Sequence, residues 1–298
     1  MTAGPTVAVS DRVEPAAVGE PTARQQTWAA FRRNPLGMAA AFLLIALLML
    51  TAVVPLLGLN PDATSQAAME PPSAAHWFGT DSLGRDILSQ VLYGTRVSVT
   101  VGLCSSALAV LFGVIVAVTG ALFPRVDALV GLVVDLTLSL PTLPLMILVA
   151  ALVGPSLVTV VLVIGFFSWP EVARVVRSQA LSVVRLPFMD AARLVGGSNL
   201  WLSRRHLVPA VAPVVAVSVV LTASRAVLTE AGLAFLGLSD PDNWSWGRIL
   251  YEAQQSGAMQ SAWWTTLFPS LAILLLVVSA SLFAMAYNDA RNPRMRQD

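Results

Sequence analysis

Two histidines, one cysteine and not a single lysine leave this chain of 298 residues little covalent or metal chemistry to offer. His76 and His206 each lack a second ligand-type residue at a spacing that would build a zinc site. Cys104 stands alone in an apolar stretch, so no intrachain disulfide can form. All 18 basic residues are arginines. A phosphate-binding loop needs its lysine, so the chain is not expected to hydrolyse ATP, and no catalytic or metal-ligating residue is assigned. What remains is electrostatic. Asp135, Arg225 and Glu230 fall inside apolar runs, where charges are costly enough to mark function. Arg225 and Glu230 are five residues apart and face one another poorly on a helix. Arg225 is open to three readings: contact with a ligand carboxylate, pairing with a carboxylate of another chain, or a water-lined position. Glu230 is a second candidate of the same kind, and Asp135 reads as a packing or inter-subunit hydrogen-bond residue.

The elements that carry these charges are set by composition. At 56% hydrophobic and 12% charged residues, with a mean hydropathy of +0.73, the chain cannot cover its apolar surface in water and needs the lipid bilayer as solvent. Six runs reach the length a bilayer crossing requires: 36–58, 97–123, 126–153, 157–176, 208–236 and 266–287. The expectation is an all-α membrane protein of about six transmembrane helices, with kinks at Pro141, Pro144 and Pro170 that neighbouring helices shelter. With the amino terminus inside, 14 of the 18 arginines fall on the cytoplasmic side, as the positive-inside rule asks. Both termini are therefore expected in the cytoplasm of a multi-pass protein of the bacterial cytoplasmic membrane. Residues 1–35 lack a signal-peptide pattern and read as a loosely attached polar cytoplasmic tail, with a second short tail at 288–298. Residues 36–58 are the first span, 59–96 an extracytoplasmic segment, and 97–287 a five-helix core. Nothing in the pattern points to nucleic acid.

The longest inner loop reads as helix, break, helix. Residues 171–185 keep helical spacing, Leu186-Pro187 interrupts them, and 188–195 form a short second helix. Gly196-Gly197 ends it, and Ser198 or Asn199 caps the next segment. Ala191 and Ala192 leave a shallow surface for another backbone to approach. This is either a solvated linker or a docking element. The stretch Asp190-Ala191-Ala192-x3-Gly196-x9-His206-Leu207-Val208-Pro209 resembles the E-A-A-x3-G-x9-I-x-L-P loop of ABC importer permeases, here spanning 188–209. Asp190 replaces Glu and keeps the carboxylate, and His206 replaces Ile, as in the peptide and nickel branch. The resemblance implies that this loop is a coupling helix seated in a groove of an ATPase subunit, with Asp190, Ala191, Ala192, Gly196 and Pro209 transmitting nucleotide-driven closure.

The outer segment 59–96 holds His76-Trp77-Phe78-Gly79-Thr80-Asp81-Ser82-Leu83-Gly84-Arg85-Asp86. Thr80 or Asp81 is a plausible helix cap, and Leu83, Ile87 and Val91 then recur every four residues, the pattern of a helix lying in the interface. Trp77 and Phe78 suit headgroup depth. Arg85 and Asp86 are left to pair with each other or with another chain. The string F-G-T-D-x-x-G-R-D resembles a hallmark of the C-type permease subunit of dipeptide, oligopeptide and nickel importers. The resemblance implies that Asp81, Gly84, Arg85 and Asp86 lie on the binding-protein side. Glu230 to Leu238, Trp244-Ser245-Trp246-Gly247, Trp263-Trp264 and the ending Asn288-Asp289-Ala290-Arg291-Asn292-Pro293-Arg294 resemble the same subunits, so the likeness runs over about residues 30–294.

The resemblance implies a type I permease that forms half of a translocation pathway for di- or oligopeptides. Its implied partners are a second homologous permease, two ABC ATPase subunits that bind ATP and magnesium, and an extracytoplasmic substrate-binding protein. Nickel-chelate, opine, glutathione or haem are alternative cargoes. A membrane enzyme would need convergent catalytic groups at one depth, and a secondary transporter would need midplane carboxylates and internal repeats. Neither pattern is evident.

Overall fold

Asn34 accepts a hydrogen bond from the Gly37 amide at 3.0 Å, and Pro35 follows at the first helical position, where a missing N–H costs nothing. So begins the first long apolar helix of a computed structural model that describes residues 23–291. The helices are α1 (Ala23–Arg33), α2 (Pro35–Val53), α3 (Ile87–Leu122), α4 (Pro124–Ser139), α5 (Thr142–Val153), α6 (Leu157–Val184), α7 (Pro187–Leu194), α8 (Asn199–Leu202), α9 (Val208–Phe235), α10 (Trp246–Gln255), α11 (Ala258–Ser261) and α12 (Trp264–Arg291). A 3-10 turn, Val54–Leu57, extends α2, and a π-helical turn, Ser203–Leu207, joins α8 to α9. Five of these stretches are long and apolar enough to cross a membrane, and α4 with α5, bent by 79°, makes a sixth if the pair counts as one span. The protein is an all-α membrane protein with the expected number of crossings.

Three boundaries differ from the sequence reading. The third span breaks at Leu140-Pro141, both extended, whereas Pro144 sits harmlessly in the first turn of α5. Pro170 does not end the fourth span: α6 runs through it to Val184, so the span and the inner helix expected at 171–185 are one element. Part of the polar tail is helical. Phe31 of α1 is buried against Phe283, Ala286 and Ala290 of α12, which brings the two described ends of the chain together. The expectations for residues 1–22 and 292–298 lie outside the described residues.

Helix α3 is the spine of the bundle, and its buried small residues explain why. Gly94, Ser98, Gly102, Ser105, Ser106, Ala109, Gly113, Ala117 and Gly120 recur at helical spacing. Between helices in lipid, such residues permit close backbone approach and gain van der Waals contact where hydrophobic driving force is absent. A β-carbon at Gly102 would stand 3.0 Å from the Ala223 carbonyl of α9, and one at Gly113 would stand 3.0 Å from the Ala173 amide of α6. Around α3, three apolar clusters follow its length: one with α9, α10 and α12, one with α6 and α9, and one with α5, α6 and α9.

Candidate functional site

At one end of the bundle α7 turns its two faces to different surroundings. Leu186 is extended before Pro187, which starts the helix at its first position. Met189 and Ala192 point inward against Leu202, Leu207 and Val211. Asp190 and Ala191 are exposed, and beyond them Leu194 and Val195 are 88% and 82% exposed. The helix closes by a Schellman pair: the Gly197 amide donates to the Ala192 carbonyl and the Gly196 amide to the Arg193 carbonyl, each at 3.0 Å. The two glycines have separate reasons. Gly196 has a φ of +87° with nothing within 4 Å of a β-carbon, so backbone conformation demands it. At Gly197 a β-carbon would meet the Ala192 oxygen at 2.7 Å and the Trp201 ring at 2.9 Å, so space demands it. Ser198 caps α8 by accepting from the Trp201 amide, settling the choice between Ser198 and Asn199. Asp190 accepts from Arg193 Nη1 at 2.9 Å on the surface, and Pro209 opens α9 within its first two positions. Ala192 is therefore not part of the shallow surface expected of the Ala191-Ala192 pair. It is core, and the outward ridge is Asp190, Ala191, Leu194 and Val195.

At the other end, the stretch 59–86 is held by a buried carboxylate. Asp81 Oδ1 accepts from the amides of Leu83 and Arg85 at 2.9 Å, and Oδ2 from Arg85 Nε at 2.5 Å and Gln90 Nε2 at 2.8 Å. The Arg85 guanidinium then lies 4.7 Å from the Trp244 ring centroid and reaches Glu252 at 3.5 Å. Arg248 stacks on the same ring at 4.4 Å. This corrects the interfacial helix expected from Leu83 onward. Gly84, at φ +73°, packs against the Ser65 carbonyl, and that turn forbids a helix. The true cap is Asp86, which accepts from the Ser89 amide at 2.8 Å, so Ile87 and Val91 are buried in the opening turns of α3 while Leu83 is exposed. Arg85 and Asp86 do not pair with each other: Asp86 meets His76 Nδ1 at 3.2 Å. Sequence spacing alone carried no sign of Trp244 or Glu252, which arrive from more than 150 residues away.

The charges within the spans separate. Glu230 is 2% exposed and accepts from Ser98 Oγ at 3.2 Å, while the Trp246 amide donates to that same hydroxyl oxygen at 3.2 Å. It ties α9 to α3 and α10 and is a buried link in this structure. Arg225 is exposed and pairs with Glu171 of α6, and Asp135 of α4 pairs with Arg174 of α6. Neither Glu171 nor Arg174 was singled out in the sequence, because pairs 54 and 39 residues apart have no local signature. Among the described residues no cluster of His, Cys, Asp and Glu could hold a metal ion.

A bundle of helices long and apolar enough to cross a membrane, with one short amphipathic helix turned outward, defines a polytopic membrane protein. Residues 109–297 match the model of the binding-protein-dependent transport system inner membrane component, and residues 22–72 match the N-terminal TM domain of oligopeptide transport permease C. The chain belongs to the binding-protein-dependent transport system inner membrane component family. It is 31% identical over 279 residues to the dipeptide transport system permease protein DppC of Bacillus subtilis, covering 92% of this chain and 86% of that one. It is 32% identical over 270 residues to the DppC protein of Alkalihalophilus pseudofirmus, covering 89% and 88%. To a Brucella suis protein named for a peptide transport system permease it is 34% identical over 267 residues, covering 89% and 90%.

Proposed function

We propose that this chain is one of two homologous permease subunits of an ATP-driven importer of di- or oligopeptides, and that α7 is its coupling helix. In this reading an extracytoplasmic binding protein delivers the peptide. Two ABC ATPase subunits bind ATP and magnesium and close on each other, and α7 carries that closure into the spans. Nucleotide does this work only through its tighter binding to the closed ATPase pair. Peptide cargo is supported by the names of the relatives, and the cytoplasmic placement of α7 and of both termini by the arginine bias.

One observation carries the assignment. α7 is anchored by Met189 and Ala192 and leaves Asp190, Ala191, Leu194 and Val195 exposed, which is the arrangement of a knob built to enter another protein. Behind its exposed ridge the helix packs, through Leu202 and Leu207, onto the start of α9. A push on it therefore moves a span and is not dissipated in a loop. Replacing Asp190 with Lys, or deleting Gly196, should leave the chain inserted and assembled while abolishing peptide-stimulated ATP hydrolysis. Normal uptake by either variant contradicts the assignment.

A further inference from the structure

From its midpoint to its carboxyl end, the exposed face of α6 carries a polar file. Glu171, Arg174, Ser178 and Ser182 recur at spacings of three and four, and all are exposed. Glu171 and Arg225 lie near the middle of their 28-residue helices. Two ion pairs brace this file from either side, Asp135 of α4 to Arg174 and Arg225 of α9 to Glu171, and their four side chains are 54–68% exposed. Charges this open within membrane-crossing helices cannot face hydrocarbon. A dry protein contact suits them no better. A guanidinium carries five N–H donors, and the hydrogen bonds found among the described residues use one nitrogen of Arg174 and one of Arg225. Burial would strand the rest. Water satisfies them. The four charges also cancel, so the strip can release what it touches.

We propose, resting on the importer reading above, that Asp135, Glu171, Arg174 and Arg225 line the aqueous route of the cargo. In that route the Arg225–Glu171 pair opens to a zwitterionic peptide, Arg225 taking its carboxylate and Glu171 its ammonium group. The pair is suited to exchange because each member is more than half exposed and holds the other by a single contact. Arg174 and Asp135 keep the wall of the route polar one turn away.

The test uses the whole transporter reconstituted in vesicles, with Cys104, an exposed thiol, replaced by Ser. Single cysteines are placed at Arg174 and Arg225 and, as a lipid-facing control, at Phe42 on the exposed apolar side of α2. A cationic methanethiosulfonate should modify the first two, at least tenfold faster in one nucleotide state than in the other, and leave the control untouched. Absence of reaction at both positions, with and without ATP, overturns the route. In a second measurement Glu171→Gln should raise the KM for a zwitterionic dipeptide several-fold and leave that for its N-acetylated form unchanged. Equal effects on both overturn the cargo contact. Failure of the Cys104→Ser parent to assemble with ATPase subunits would instead refute the importer reading, and the route with it.

Discussion

Gly197 donates its amide to the carbonyl oxygen of Ala192 at 3.0 Å, and a β-carbon at Gly197 would press on that oxygen from 2.7 Å. The end of α7 is thus a tight bend with no room for a side chain, one residue beyond a left-handed position. Gly196→Ala puts an alanine at φ +87° and should destabilise the bend by about 1 kcal/mol while keeping its contacts. Gly197→Ala must displace the Ala192 carbonyl or the Trp201 ring and should cost more. The account expects stimulated ATP hydrolysis to fall further in Gly197→Ala than in Gly196→Ala, with membrane insertion equal in both. The reverse order would show that space does not limit this bend.

Arg85 joins the stretch 59–86 to α10 through Asp81, Trp244 and Glu252. Arg85→Ala leaves the Asp81 carboxylate buried without its cation, a change worth on the order of 3–5 kcal/mol. Thermal unfolding in detergent should begin earlier, and proteolysis should start within 59–86. Arg85→Lys should rescue only in part, since an ammonium neither stacks on Trp244 as a guanidinium plane does nor presents its fork of donors.

Much of this arrangement was legible beforehand, and the exceptions share a cause. The end of α7 at the double glycine, its start at Pro187, the break at Pro141 and the long apolar spans all follow from signals within a few residues of the feature. The start of α3 does not. Leu83, Ile87 and Val91 have helical spacing, and Thr80 or Asp81 would serve as caps, but Asp81 is claimed instead by Arg85 and Gln90. The bond from Ser98 to Glu230, 132 residues away, is likewise invisible to local spacing. Helix α1 looked like loose tail because its one anchor, Phe31, finds Phe283 only in the folded bundle. Periodicity reports what a segment can bury, and the partner chosen for a charge is a tertiary fact.

The spine of α3 sets a packing limit. A β-carbon at Gly113 would lie 2.8 Å from Val172 Cβ and 3.0 Å from the Ala173 amide. Gly113→Ala should destabilise by about 1–3 kcal/mol through overpacking, and Gly113→Leu should prevent α6 from docking. Chain levels in membranes and the unfolding midpoint check this. Unchanged values for both variants would contradict a packing limit at the α3–α6 contact.

Asp240, in the segment between α9 and α10, accepts from the amides of Leu157 and Asp242 and from Asn243. Burial pushes its carboxyl upward, but these hydrogen bonds together with the Arg248 charge hold it below its ordinary value. A lowered folded-state value means the carboxylate contributes stability above the unfolded-state titration, and this is lost as pH falls through the folded-state one. Amide exchange at Leu157, relative to the intrinsic rate at each pH, should therefore rise on acidification below the usual carboxylate range. Asp240→Asn should flatten that dependence.

Contact between α7 and an ATPase is the claim on which the importer reading turns. Ala191→Cys, in a Cys104→Ser chain assembled with its partners, presents a thiol on the exposed ridge beside Asp190. A short bifunctional reagent should join it to an ATPase subunit, more efficiently with ATP bound than without. If the assembled, nucleotide-hydrolysing complex gives no such product, or if the thiol reacts with an impermeant reagent added outside sealed cells, α7 is not the coupling helix.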